Sequence, residues 1–337
     1  SENRGESDAA PAALATILAH SKRDCAVQIA ACRCVATVVS ISPAAARTLA
    51  RGGTAPVGLV HAMAIHSDSR VLQAYACSAL GAILGGALET VDDASAAACV
   101  VAALLDAKAP SAVVQALSRA HTDDAAPAAQ LRQMAASVCR IVGALCRLEA
   151  IATRDASGGR GEGTAVQHAF DRAGAVSVIV ERLCDASLPL PPRVVGVALR
   201  AVATLADGCT SAARSVVHAG LRNAVTSAFA LASGLRSDDA ALVIEAAACR
   251  LVASTLVACQ SPSGATPAPR AMLTASARLD CVKAVAQAMA RTPSSDALSS
   301  DDLRRQARRM HTAASAALTA LVEADDRDER IEAATSE

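Results

Sequence analysis

The sequence predicts an all-α protein made of short helical units stacked in tandem, an α-solenoid of about six repeats. The first observation behind this is a small-residue helix pattern, A-x-x-A-[LV]-x-x-[LV], that returns along the chain. Its clearest copies are AYACSALGAI (74–83), GVALRAVATL (196–205) and HTAASAALTA (311–320), each following a shorter apolar segment. A returning unit marks a repeat architecture, because one helical hairpin or triplet cannot bury its own apolar face. The second observation is composition: the 337 residues are 53% hydrophobic but only 1% aromatic, with no Trp. Such a core is packed from Ala, Val, Leu and Cys. Ala has the highest helix propensity and lets helices approach closely, whereas a β-sandwich would want aromatic and β-branched residues in alternation.

Gly, Pro and Ser/Asp clusters divide the chain into repeats at approximately 8–42, 43–93, 94–150, 164–208, 209–260 and 269–325, taken as one repeat domain over 1–337 with 326–337 expected to fray. The first repeat has no room for a first helix ahead of residue 10, so it begins cut or atypically capped. The second reads as a short helix (43–53), a middle helix (54–66) and a long one (69–84); the fourth repeats this at 164–175, 176–185 and 192–207. In its long helix, Val194, Val195, Ala198, Ala201, Val202 and Leu205 form a wide apolar stripe at helical period. Aligning the long helices places Thr37, Ala82, Ala144, Thr204, Ser254 and Ala320 at one equivalent position. After the first, the spacings exceed the ~40 to 47 residues usual for such repeats. Insertions are therefore placed in loops at 119–130, 155–164, 185–192, 260–269 and 292–302, each rich in Gly, Pro, Ser or Asp.

Charge gives no global field: 32 basic residues balance 32 acidic ones, so neither nucleic acid nor an anionic membrane is favoured by net charge. The twelve cysteines are scattered over apolar helical positions without a C-x-x-C; the nearest pair, Cys32 and Cys34, projects from different faces of one helix. They read as free thiols acting as small hydrophobes, which implies a reducing compartment and a cytoplasmic location. No basic segment followed by an apolar stretch opens the chain, and no apolar run of about 18 residues is uninterrupted, so neither a signal peptide nor a membrane span is expected. The chain opens on Ser, which reads as a processed or excised chain.

Residues with chemical potential do not converge in the sequence. The seven histidines (His20, His61, His66, His121, His168, His218, His311) have no partners at metal-ligand spacing and read as edge or cap residues. The run Gly158, Gly159, Gly161, Gly163 lacks the Lys-Ser/Thr of a phosphate loop and reads as a linker. The pairs Asp92–Asp93, Asp123–Asp124, Asp238–Asp239 and Asp301–Asp302 stand near helix starts, where negative charge complements the dipole. No catalytic, cofactor or metal residues are expected.

RAGAVSVIVERL (172–183) resembles the armadillo pattern, in which a first helix ends on Gly and the second begins with Ala and a hydrophobic; ARGGTAPVGLV (50–60) and VHAGLRNAVTSAF (217–229) are weaker copies. The turn between the short helices needs positive φ, supplied by Gly53, Gly174 and Gly220, while Lys108 and Leu279 stand where Gly is expected elsewhere. The resemblance implies a right-handed α-α superhelix whose inner surface is lined by the third helices. Armadillo nuclear-import adaptors carry an Asn ladder there, with Trp one turn earlier. This chain has Thr, Ala, Ala, Thr, Ser and Ala instead, with Asn only at Asn3 and Asn223. One turn before that position stand Arg33, Arg140, Arg200 and Arg250 in four of the six repeats, with Ser78 and Ala316 in the other two; the arginine row is suited to an acidic partner segment. A second basic cluster, Arg304, Arg305, Arg308 and Arg309, opens the last long helix and reads either as a site for tubulin's acidic tails, nucleic acid or another acidic chain, though without interleaved aromatics for base stacking, or as the solvated face of a terminal repeat. The expectation is a non-enzymatic scaffold or adaptor for protein partners, in a cytoskeletal or ciliary setting by family analogy, with a nuclear-transport adaptor or a regulatory domain of a larger enzyme as alternatives.

Overall fold

The computed structural model describes residues 3–21, 23–89, 94–121, 127–154, 163–187, 189–235, 238–259, 275–292 and 301–335. Every regular element among them is helical. In chain order they are α1 (Asn3–His20) and α2 (Cys25–Ile41); α3 (Pro43–Ala50), a 3₁₀ turn at Arg51–Gly53, α4 (Thr54–Ile65) and α5 (Arg70–Leu88); α6 (Ala94–Asp106), α7 (Ala109–His121) and α8 (Ala128–Ala152); α9 (Ala165–Arg172), α10 (Ala175–Cys184) and α11 (Pro192–Ala206); α12 (Thr210–Ala219), α13 (Leu221–Ser233) and α14 (Asp238–Cys259); then α15 (Ala275–Arg291) and α16 (Asp301–Thr335). Among the described residues, α3–α5, α6–α8, α9–α11 and α12–α14 each set two shorter helices before a longer one, with α1 and α2 before them and α15 and α16 after. The pairs Asp92–Asp93 and Asp123–Asp124, and Gly158, Gly159 and Gly161, lie outside the described residues. Beyond residue 326, where fraying is expected, α16 runs on to Thr335.

Helix starts follow the capping residues. Asp24, Ser42 and Ser69 accept from backbone N–H groups three residues on, at the starts of α2, α3 and α5, and Thr164 with Gln167 forms a reciprocal capping box on α9. The short helices are separated by left-handed residues: Gly53 at φ 70°, Gly174 at 79° and Gly220 at 107°. At the α6–α7 turn Lys108 adopts the same region at φ 59°, and the two helices bend by 57° there. The departure from Gly thus leaves the turn in place and puts a strained side chain in it. Leu279 is different: it lies inside the unbroken α15, so no turn exists there.

The chain divides into two compact units, Ser1–Gly159 with Thr164–Val178, and Arg160–Gly163 with Ile179–Glu337. In the first, α2 packs on α5 and α5 on α8, with α3 and α4 against α5 and with α6 and α7 against α8. In the second, α11 packs on α14 and α14 on α16, with α12 and α13 against α14 and α15 against α13 and α16. The core is aliphatic and small, as composition dictates. Leu72, Ala76, Cys77, Leu80 and Ile83 of α5 are fully buried, and so are Ile244, Ala248, Cys249, Leu251 and Val252 of α14. By length and mean hydropathy alone α5 and residues Asp239–Cys259 of α14 could cross a membrane, at 1.6 and 1.8, but 61% and 67% of those windows is buried among neighbouring helices. The central place of these helices in their units accounts for their apolar character.

Two buried glutamines tie consecutive helices together and had no signal in the apolar periodicity. Gln73 Nε2 of α5 donates to the Met63 and His66 carbonyls at 2.7 and 3.1 Å, at the end of α4. Gln28 of α2 does the same to Leu18 of α1 at 3.4 Å. Each satisfies a terminal carbonyl that the preceding helix cannot pair itself. Glu149 plays the converse part, its carboxylate accepting from Val166 N–H at 3.0 Å in the first turn of α9.

Candidate partner-binding groove

In the first unit, two of the sequence-predicted arginines are exposed on long helices. Arg33 of α2 lies over the Tyr75 ring of α5, 5.6 Å from its centroid, a cation–π contact. Arg140 of α8 folds its Nε back onto the Ala136 carbonyl at 3.2 Å.

In the second unit, the structure brings four of the predicted residues to one place. Arg200 of α11, Arg250 of α14, and Arg308 and Arg309 of α16 line an open groove of about 680 Å³ across these three helices. Its floor is apolar, including Leu242, Val243, Ala246 and Ala247, and its α16 wall continues through Thr312, Ala313 and Ala316. No Asp or Glu is among the lining residues. Beside the groove α11 and α14 approach closely at Gly196, where a Cβ would stand 3.1 Å from Val243 Cγ1. Arg250 Nη2 stands 3.8 Å from Asp207 Oδ2, with both side chains more than half exposed. Such a pair does little to neutralise the guanidinium. Gln306 adds a buried Oε1 without a hydrogen-bond partner at the groove edge.

The remaining two residues of the second basic cluster are elsewhere. Arg304 pairs with Asp301 at 2.9 Å and Arg305 with Asp302 at 2.5 Å, one turn earlier on α16. These i,i+3 pairs sit in the first turn of α16, where acidic side chains complement the helix dipole. The other half turns toward the groove. Arg309 precedes Ala316 by two helical turns, and Ala316 is the α16 counterpart of Arg200 and Arg250 in the repeat alignment. Heptad spacing therefore places Arg309 on the same face of α16 as Ala316, while the packing of α11 on α14 and of α14 on α16 brings that face to Arg200 and Arg250.

The ladder position is not a uniform surface row. Thr37 and Thr204 turn their hydroxyls onto the Arg33 and Arg200 carbonyls at 3.0 and 2.8 Å. Ala144 and Ala320 are buried, so the alignment is rotated inward in α8 and α16.

A second, polar cavity of about 650 Å³ lies between α13 and α15 and has no counterpart among the sequence-predicted sites. Its cations are largely engaged: Arg222 with Asp280 at 2.5 Å and Arg291 with Glu245 at 2.7 Å. Burial pushes the Glu245 carboxyl above its usual range, with Arg291 opposing. Seven of the twelve thiols are buried among the helices, while Cys34, Cys99 and Cys184 are exposed, so that Cys32 and Cys34 lie on opposite faces of α2. Burial pushes Cys32, Cys77, Cys139 and Cys249 up to about 12. Among the described residues no three His, Cys, Asp or Glu side chains converge as a metal site would require. A scan against models of known protein families returns no match, and a search of curated proteins returns no relative.

Proposed function

We propose that the chain is an armadillo-like repeat protein and a non-enzymatic scaffold, binding an acidic segment of a protein partner in the groove of its second unit. The observation that carries this is the convergence of Arg200, Arg250, Arg308 and Arg309 on one groove with no carboxylate in its lining. Guanidinium groups are weakly hydrated and pair carboxylates in a fixed fork, so a cluster of them favours an anionic partner over a neutral one. The lining holds no His, Cys, Asp or Glu to move a proton near neutral pH, which supports binding rather than turnover. The absence of an Asn ladder, together with Thr hydroxyls already bonded to their own helices, argues against backbone clamping of the import-adaptor kind.

The test is fluorescence anisotropy with a labelled Glu/Asp-rich peptide. Replacing Arg250→Glu and Arg309→Glu together is expected to weaken binding at least about ten-fold, since each reversal turns an attraction into a repulsion, while far-ultraviolet circular dichroism stays the same. Arg304→Glu with Arg305→Glu, outside the groove, serves as the charge-matched control and leaves most of the affinity. Equal losses from both pairs, or none from the first, would remove the groove from the proposal.

A further inference from the structure

We infer that this groove seats its partner as an amphipathic helix, with acidic residues on both sides of a stripe of small apolar ones; the inference rests on the acidic-partner reading above. Hydrogen-bonding supply decides between a helix and an extended segment. An extended chain brings an unpaired N–H and C=O at each residue, and burying them without partners is costly. Apart from its arginines, the groove offers the side chains of Gln306 and Thr312, and the Thr312 hydroxyl already donates its proton to the Arg308 carbonyl at 2.9 Å, which leaves it only an acceptor. The lining backbone is helical throughout, so its polar groups are paired. A helix arrives with its own backbone bonds made.

The shape and charge of the groove agree with that occupant. Val243, Ala246, Ala313 and Ala316 keep the surface low, and interhelical distance is set by side-chain size at the contact. The charges stand at its two sides. Arg200 belongs to α11, and Arg250 reaches toward the end of α11 at Asp207; Arg308 and Arg309 belong to α16, across α14. A helix lying over α14 would present acids to both sides from positions about three or four residues apart, with its small apolar face down.

The experiment uses the full chain and three labelled peptides of identical composition. One places Glu on both sides of an Ala/Leu stripe, one permutes the same residues so that the stripe is lost, and one carries two central D-residues that break the helix without altering charge. The first is expected to bind at least about ten-fold tighter than the others, to gain helical ellipticity on binding, and to be weakened by Ala316→Phe, an exposed position where a bulky side chain raises the floor without touching the core. Equal binding of all three peptides, or an unchanged affinity on Ala316→Phe, overturns the helical occupant while leaving an acidic partner in place. Failure of every acidic peptide to bind overturns both. Displacement of the first peptide by a single-stranded oligonucleotide of equal charge, at equal concentration, also overturns the inference, because charge alone would then be read.

Discussion

Lys108 occupies, at φ 59°, the backbone region that Gly53, Gly174 and Gly220 occupy at the corresponding turns. A side chain in the left-handed region costs about 1 to 2 kcal/mol, and a Gly substitution removes that strain while the greater freedom of the unfolded chain offsets part of the gain. Lys108→Gly is therefore expected to stabilise the protein by about 1 kcal/mol, read as a higher urea midpoint at constant m-value. The reverse change, Gly174→Lys, meets no atom within 4 Å of the new Cβ, so its cost isolates the backbone term and is expected to be of similar size and opposite sign. A midpoint that falls on Lys108→Gly would mean that the exposed lysine makes a contribution the turn geometry does not contain. The turn itself was legible from its neighbours, because the position follows the repeat even where the residue departs. Its conformation was not, since Lys carries no local preference for positive φ.

At the scale of elements, α14 is held to α15 through Glu245 and Arg291, at 2.7 Å. Glu245 is nearly fully buried, and desolvation raises its pKa above 4.5 despite the opposing arginine. An acid whose folded pKa lies above its unfolded value favours the fold most fully below the unfolded value, and that contribution is lost as pH rises through the folded one. Wild type is accordingly expected to lose stability relative to Glu245→Gln as pH increases from about 4.5. Denaturant titrations of both proteins across that range measure the difference, and parallel curves would show that Arg291 fully offsets the desolvation. Pairs of this kind were invisible in the sequence. A polar residue in an apolar helix pattern, such as Glu245, Gln73 or Gln28, resembles a surface position until its partner is known, and those partners lie on other helices. The helices themselves were readable because caps and breakers punctuate them: Ser42 before Pro43, Ser69 before α5, and Thr164 with Gln167. At Leu279 the absence of such a breaker correctly went with a continuous helix, although the repeat pattern had called for a turn.

For the molecule as a whole, 32 basic residues against 32 acidic ones leave no net charge, so any electrostatic recognition has to come from segregation. The groove of the second unit supplies it, with four arginines and no acid in its lining. The sequence showed both basic groups but not their convergence, because it takes the packing of α11 on α14 and of α14 on α16 to carry Arg200 and Arg250 to the same place as Arg308 and Arg309. Salt then distinguishes how the groove works. Raising ionic strength from about 0.1 M to about 1 M shortens the screening length from about 10 Å to about 3 Å. A neutral protein has no long-range field to lose over that range, and exclusion of salt from apolar surface leaves hydrophobic docking unchanged or slightly stronger. Binding of an acidic peptide is therefore expected to weaken at least about ten-fold across the titration, through screening of the local attraction between the groove arginines and the peptide's carboxylates. The Arg250→Glu, Arg309→Glu protein should show a much flatter response, because the charges that salt screens are the ones removed. An affinity that holds constant with salt in the unaltered protein would place the binding energy in the Ala and Val floor and leave the arginines as bystanders.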